Sequence, residues 1–176
     1  LSYQDAIELA YYGASVIHPK TIKPLQNKKI PLFVKSFLNP EKSGTVICEL
    51  PSSPAIACFI FKVNQVLLSI SPKDFSFINE ENFASIFNLF AEKGIKINVM
   101  QNSAISFSVS IDHDVRTFPD LVQTLQKEYR VLYNENVELI TIRYYDQPTI
   151  DRVLIGKTAL LEVKSRHTVQ LIVKNA

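Results

Sequence analysis

The sequence predicts an α+β fold built on an antiparallel sheet with helices packed on one face. Three observations carry that reading. From Gln65 onward, period-two segments and helical-spacing segments succeed one another as strand, helix, strand, strand, helix, strand. Within that succession, Ile105, Phe107, Val109 and Ile111 alternate with Ser106, Ser108, Ser110 and Asp112, as in a strand with one apolar and one polar face. Ahead of it, Leu50-Pro51-Ser52-Ser53-Pro54 combines residues that interrupt regular structure, and marks a boundary.

Before that boundary, residues 2–14 are expected to be helical. Ser2 is a good N-cap and Asp5 stands at capping-box spacing, with Asp in place of the usual Glu. Ile7, Leu9, Ala10 and Tyr11 supply apolar surface, and Gly13 closes the helix. His18-Pro19 opens a second short helix, where the missing proline N–H costs little. Residues 30–36 are expected to form a strand, and Asn39-Pro40 through Ser43-Gly44 a turn.

After the boundary, residues 66–71 form the first expected strand. Asn79 caps a helix whose Phe83, Ile86, Phe87 and Phe90 follow the i, i+3, i+4, i+7 spacing, and Gly94 ends it. Ile95, Ile97 and Val99 alternate with Lys96, Asn98 and Met100 in a second strand, and Gln101-Asn102 is expected to turn into the third. Thr117 is expected to cap a second helix, with Pro119 early in it and Leu121, Leu125 and Tyr129 along one side. Val131 to Tyr133 begins a fourth strand. This is a ferredoxin-like βαββαβ unit. Phe83, Phe87 and Phe90 should each contribute about 1.5–3 kcal/mol on the sheet, and Phe87→Asp is expected to unfold the unit.

A shorter pass follows. Residues 137–145 read as a strand, 149–157 as a short helix behind Pro148, and 159–164 and 168–174 as strands around an Arg166-His167 turn. Lacking a final helix and strand, this unit is expected to borrow a strand from 55–62.

Composition narrows the function. The chain has 176 residues, 47% of them hydrophobic, enough for one or two modest cores. Nineteen basic against seventeen acidic side chains leave a net charge of +2, and Lys20, Lys23, Lys28 and Lys29 read as a solvated helix face, not a nucleic-acid footprint. Cys48 and Cys58 match no zinc or redox spacing and suit a reducing cytoplasm. His18, His113 and His167 lack the companions of a metal site. The apolar runs are too short to span a bilayer. An RNA-binding reading needs exposed aromatics on the central strands, where the outward positions are the serines Ser106, Ser108 and Ser110. No nucleophile–base or acid pair converges.

One stretch is more specific. Gly13-Ala14, Val16, His18-Pro19 and Thr21, followed by Pro24, Ile30-Pro31, Val34, Pro40 and Gly44-Thr45, resembles the closing segment of the aspartate kinase (aspartokinase) catalytic domain. The βαββαβ unit resembles that family's first ACT module, a small ligand-binding regulatory fold, and residues 137–174 an abbreviated second one. The expected organisation is thus the end of the kinase domain with its linker at 1–50, a first ACT module at 55–135 and a second at 136–176.

The resemblance implies a carboxy-terminal piece of an enzyme that phosphorylates the β-carboxylate of aspartate with ATP. The motif serving the phosphates is not among these residues, and with only four glycines no Gly-rich phosphate loop occurs. The piece is expected to be inert and to hold no cofactor, ATP and magnesium belonging to the parent. As partners the resemblance implies a second copy, through paired ACT modules, and an end-product amino acid, with neither nucleic acid nor membrane.

Carried onto this chain, the effector positions are Ser76, Ile78, Asn79, Asn82 and Phe83 before and within the first ACT helix, and Lys96, Ile97, Asn98, Asn102 and Ser103 along the second strand. The chemistry is reasonable in itself. Unpaired N–H groups at the Asn79 helix start favour an α-carboxylate, and Asn98 with strand carbonyls offers oxygens to an ammonium. The chain departs from the lysine-inhibited members at two positions, with Asn98 in place of an aspartate and Ala104 in place of a glutamate. That weakens the case for a cationic effector; lysine stays slightly ahead of threonine on pathway grounds.

Overall fold

The computed structural model describes residues 1–14, 17–50, 55–74 and 76–176. Val16 of the kinase-like motif and positions 51–54 of the expected boundary lie outside them. Two compact units are present, Leu1–Ile60 and Phe61–Ala176.

The first unit holds α1 (Tyr3–Tyr12), α2 (Pro19–Asn27) and a two-stranded sheet of β1 (Leu32–Val34) and β2 (Thr45–Ile47). Ser2 caps α1, its Oγ accepting the Asp5 N–H at 3.0 Å and donating to the Asp5 carboxylate at 2.7 Å. His18 caps α2 through Nδ1, which accepts the Lys20 N–H at 3.2 Å, and Pro19 occupies the first helical position. Tyr3, Ala6, Ile22 and Ile47 form the core. Only Leu32–Val34 of the expected strand at 30–36 pairs, because β2 offers three partners. Gly44 is needed where it stands: its φ is +68°, and a Cβ would lie 2.3 Å from the Val34 carbonyl oxygen.

The longer succession runs β3 (Cys58–Pro72), α3 (Glu80–Glu92), β4 (Ile97–Asn102), β5 (Phe107–Asp112), α4 (Phe118–Glu128), β6 (Tyr129–Arg143), α5 (Gln147–Val153), β7 (Lys157–Lys164) and β8 (Thr168–Asn175). The strands form one six-stranded sheet in the order β4-β5-β3-β6-β8-β7. Val66, Leu68 and Ile70 of β3 and Phe107, Val109 and Ile111 of β5 point to the face covered by Ile86 and Phe90 of α3 and Leu121 and Leu125 of α4. The α+β class, with helices on one face of an antiparallel sheet, is as the sequence predicts.

The other face is only partly open to solvent. The sheet curls until β4 approaches β7, and Leu67, Val99, Val137, Leu139 and Ile172 make a second core inside the curl, flanked by Leu161 and Val163. This corrects the reading of Ser110 as outward: Ser110 is fully buried, whereas Ser106 and Ser108 are partly exposed, because two-sided burial of a curled sheet does not show in one strand's alternation.

Other differences are local. The strands expected at 131–133 and 137–145 are one strand, β6, bent at Asn136, and β3 extends back to Cys58 through a similar bend at Asn64. A polar residue in left-handed backbone looks like a break in the sequence, but here the strand runs through it. Gln101 and Asn102 belong to β4, since Asn102 pairs with Phe107; the turn lies at Ser103–Ser106, closed by the Ser103 N–H on the Ser106 carbonyl at 2.8 Å. Thr117 makes no side-chain cap, and the Asp114 carbonyl accepts the Thr117 and Phe118 N–H groups instead. Helix α5 starts earlier than expected because Asp146 and Thr149 form a reciprocal capping box. Phe87 is 39% exposed, against 2% for Phe90, so the aromatic at 87 edges the core without filling it.

Candidate functional site

The start of α3 is built by asparagines. Asn79 Oδ1 accepts the Asn82 N–H and Asn82 Oδ1 accepts the Asn79 N–H, each at 3.0 Å. Asn82 Nδ2 also reaches the Tyr129 hydroxyl at 3.4 Å. The loop before the helix is held at both ends. Ser76 gives its N–H and hydroxyl to Asp74 Oδ1 at 3.1 and 2.7 Å, and these bonds, the hydroxyl first, hold the Asp74 carboxyl below its ordinary range. Ile78, almost buried, donates its N–H to the Ala104 carbonyl at 3.0 Å. Phe83 stacks on Phe87 and meets Phe107 edge-on with centroids 5.2 Å apart.

Through the Ile78–Ala104 bond, the loop carrying Ser76, Ile78 and Asn79 meets the turn that carries Ser103, next to Asn102 at the end of β4. Asn82 and Phe83 follow in the first turns of α3. The other strand positions lie elsewhere. Asn98 is four residues before Asn102, about 13 Å along a strand. Lys96 is exposed, and Ile97 is partly buried against the helix-side core.

Asn98 sits at an irregularity in the β4–β5 register between Ile97 and Val99, which admits its side chain to the concave face. There its Nδ2 donates to Gln65 Oε1 at 2.7 Å and to Asp112 Oδ1 at 2.9 Å, while its Oδ1 accepts the Lys62 ammonium at 3.0 Å. Gln65 also donates to Asp112 Oδ1, at 2.7 Å, and Gln170 of β8 reaches the Asn98 carbonyl at 3.5 Å. Burial pushes the Lys62 ammonium down from its ordinary pKa, opposed by Asp112 and reinforced by Lys96. For Asp112, burial acts upward, but bonds from Gln65 and Asn98 and the charges of Lys62 and Lys96 together bring it below the carboxylate range.

Sequence reasoning did not select Lys62, Gln65 or Asp112. The available signal was Gln65, an amide directly before the apolar run of β3 and opposite Asp112 in the β3–β5 register, where two polar groups imply a bonded pair. Among the described residues, no three His, Cys, Asp or Glu side chains cluster as a metal site, and no helix is long and apolar enough to cross a membrane.

A curled antiparallel sheet carrying a βαββαβ unit and a shorter second pass is the architecture of aspartokinase ACT regulatory modules. E. coli aspartokinase III in complex with lysine and aspartate superposes with a TM-score of 0.78 at 22% identity, over 98% of this chain and 42% of that one. A C-terminal regulatory domain of aspartate kinase from Porphyromonas gingivalis gives 0.57 at 19% identity, over 69% of this chain and 88% of that one. In sequence, the chain is 31% identical over 126 residues to aspartokinase 1, chloroplastic, of Arabidopsis thaliana, covering 70% of the chain and 22% of that relative. It is 28% identical over 143 residues to lysine-sensitive aspartokinase 3 of E. coli, covering 78% of the chain and 31% of that relative. No protein-family model matches the sequence. The chain belongs to the aspartokinase family, and it spans less than a third of the length of these two curated relatives.

Proposed function

We propose that this chain is a regulatory region of an aspartokinase, the enzyme that converts ATP and L-aspartate to ADP and 4-phospho-L-aspartate on the route to lysine, threonine and methionine. Its ACT modules pair two copies of the chain and bind an end-product amino acid, lysine ahead of threonine. Phosphoryl transfer, with its ATP and magnesium, falls to parts of the enzyme beyond these residues, and the chain alone is inert. The cytoplasm is the proposed compartment, although the Arabidopsis relative is a chloroplast protein.

The observation that carries this reading is the Ile78–Ala104 bond, which joins the pre-helix loop to the β4–β5 turn beside an edge strand. The same edge exposes Met100 and Ile105, with Phe77 in the loop, and an apolar edge strand is the kind of surface a second copy covers. Lysine is favoured by the lysine sensitivity of the E. coli relative. Binding coupled to a kinase domain would shift its equilibrium by about 1–3 kcal/mol.

A second reading, a dimerisation module without an effector, is favoured by Glu80 and Glu81 in the first turn of α3, which set negative charge where an α-carboxylate would bind. Calorimetric titration with lysine, threonine and methionine, alongside gel filtration, separates the two. The expected result is a dimer that binds lysine. Heat with threonine alone would reassign the effector, and a dimer silent to all three would establish the second reading. A strict monomer at micromolar concentration would overturn the paired modules.

A further inference from the structure

The polar cluster on the concave face has the form of an occupied binding site. Both donor interactions of the Asn98 amide go to acceptors inside the cluster, Gln65 Oε1 and Asp112 Oδ1. This fixes the carboxamide orientation and aims its remaining acceptor, Oδ1, at Lys62 Nζ, 3.0 Å away and 36 positions distant in sequence. Gln65 is held against Asp112 at 2.7 Å, and the buried Ser110 hydroxyl donates to Gln65 Oε1 at 3.4 Å. The one carboxylate present balances the ammonium, and the nearby Lys96 adds charge of the same sign as Lys62. Asp112 is exposed, so the cluster has an approach from solvent.

We propose that Gln65, Asn98 and Asp112 form a primary-ammonium site whose resident occupant is the chain's own Lys62 side chain, closing the cluster to free amines while that side chain is present. The groups all lie within one chain, so the inference is independent of effector binding and of pairing. It has a consequence for amino-acid ligands: one whose ammonium uses Asn98 must displace Lys62, and a ligand bound at the Asn79 helix start need not.

Lys62→Ala removes Cγ, Cδ, Cε and Nζ, which n-propylammonium restores as a free molecule. The experiment is thermal unfolding of wild type and Lys62→Ala in n-propylammonium chloride, with tetramethylammonium chloride at equal ionic strength and n-propanol as controls. The variant is expected to unfold at lower temperature than wild type and to regain about 2–4 °C in n-propylammonium alone. Wild type should respond equally to the two salts. Adding Asn98→Leu to Lys62→Ala should abolish the selective recovery. Equal response of the variant to both salts, selective response of wild type, or recovery that survives Asn98→Leu would overturn the proposal. If Lys62→Ala is isolated only unfolded, the readout becomes circular dichroism after refolding in each salt. Recovery in n-propylammonium only then supports the site, and recovery in both or neither refutes it.

Discussion

Asn64 in β3 and Asn136 in β6 share one backbone state, with φ of +57° and +56°, and line the same cleft where the two long strands bend. Each is the point at which a 15-residue strand changes direction without leaving the sheet. Left-handed backbone tolerates Asn better than most side chains because its short amide bonds locally. Asn64 also holds His113, donating to its carbonyl at 3.4 Å and accepting its N–H at 3.0 Å.

Substitution at Asn136 should therefore follow backbone tolerance more than size. Asn136→Gly is expected to leave stability within about 0.5 kcal/mol of wild type, whereas Asn136→Val should cost about 1–2 kcal/mol. Urea unfolding of the two variants measures the difference. Equal losses would show that the amide, and not the backbone state, matters at this bend.

The phenylalanines of α3 are expected to differ sharply. Phe90 is 2% exposed in the helix-side core, and Phe90→Ala should cost about 3–5 kcal/mol. Phe87 is 39% exposed and keeps ring contacts with Phe83 and Phe107 at the margin of the core, so Phe87→Ala should cost about 1–2 kcal/mol. Phe87→Asp is accordingly expected to weaken the unit, and chemical denaturation of the three variants would rank them. A Phe87 loss as large as that at Phe90 would mean the exposed side of this ring is covered in solution.

How far these features were legible depends on the range of the interaction. Caps and stops at Ser2, His18-Pro19, Asn79 and Gly94 are local, and each was readable from neighbouring residues. The strand at Phe107–Asp112 carried its own periodicity, which the alternation from Ile105 started two residues early. The curl of the sheet was not readable, because the core inside it joins Leu67 and Val99 to Val137, Leu139 and Ile172, which no local pattern connects. The same limit hid Lys62. A lysine in a strand normally reads as solvent-facing, and its bond to Asn98 exists only once β3, β5 and β4 lie side by side in that order.

The α3 start is expected to be sensitive to a single amide. Asn79→Ala removes the acceptor for the Asn82 N–H and should cost about 1 kcal/mol, while Asn79→Asp keeps that acceptor and should cost less. If the helix start binds an effector carboxylate, Asn79→Asp should weaken binding by adding a charge beside Glu80 and Glu81 while leaving stability near wild type. Thermal unfolding and titration on the same two variants separate the contributions. Parallel losses in both measurements would reduce Asn79 to a structural cap.

The pH dependence of stability should carry the signature of Asp112. Its folded-state pKa lies below the unfolded value, since the bonds from Gln65 and Asn98 and the charges of Lys62 and Lys96 outweigh burial. A depressed carboxyl contributes stability that is fully present above its unfolded pKa, about 3.9, and is lost as pH falls through the lower folded value. Asp112→Asn removes that titration. The variant should be less stable than wild type at neutral pH, and the gap should narrow progressively below about pH 4 as the wild-type carboxylate protonates. Unfolding temperature measured from pH 2 to 7 reads this directly. A gap that stays constant across the acid range would place the stabilisation in the geometry of the Gln65–Asn98–Asp112 bonds and not in the charge.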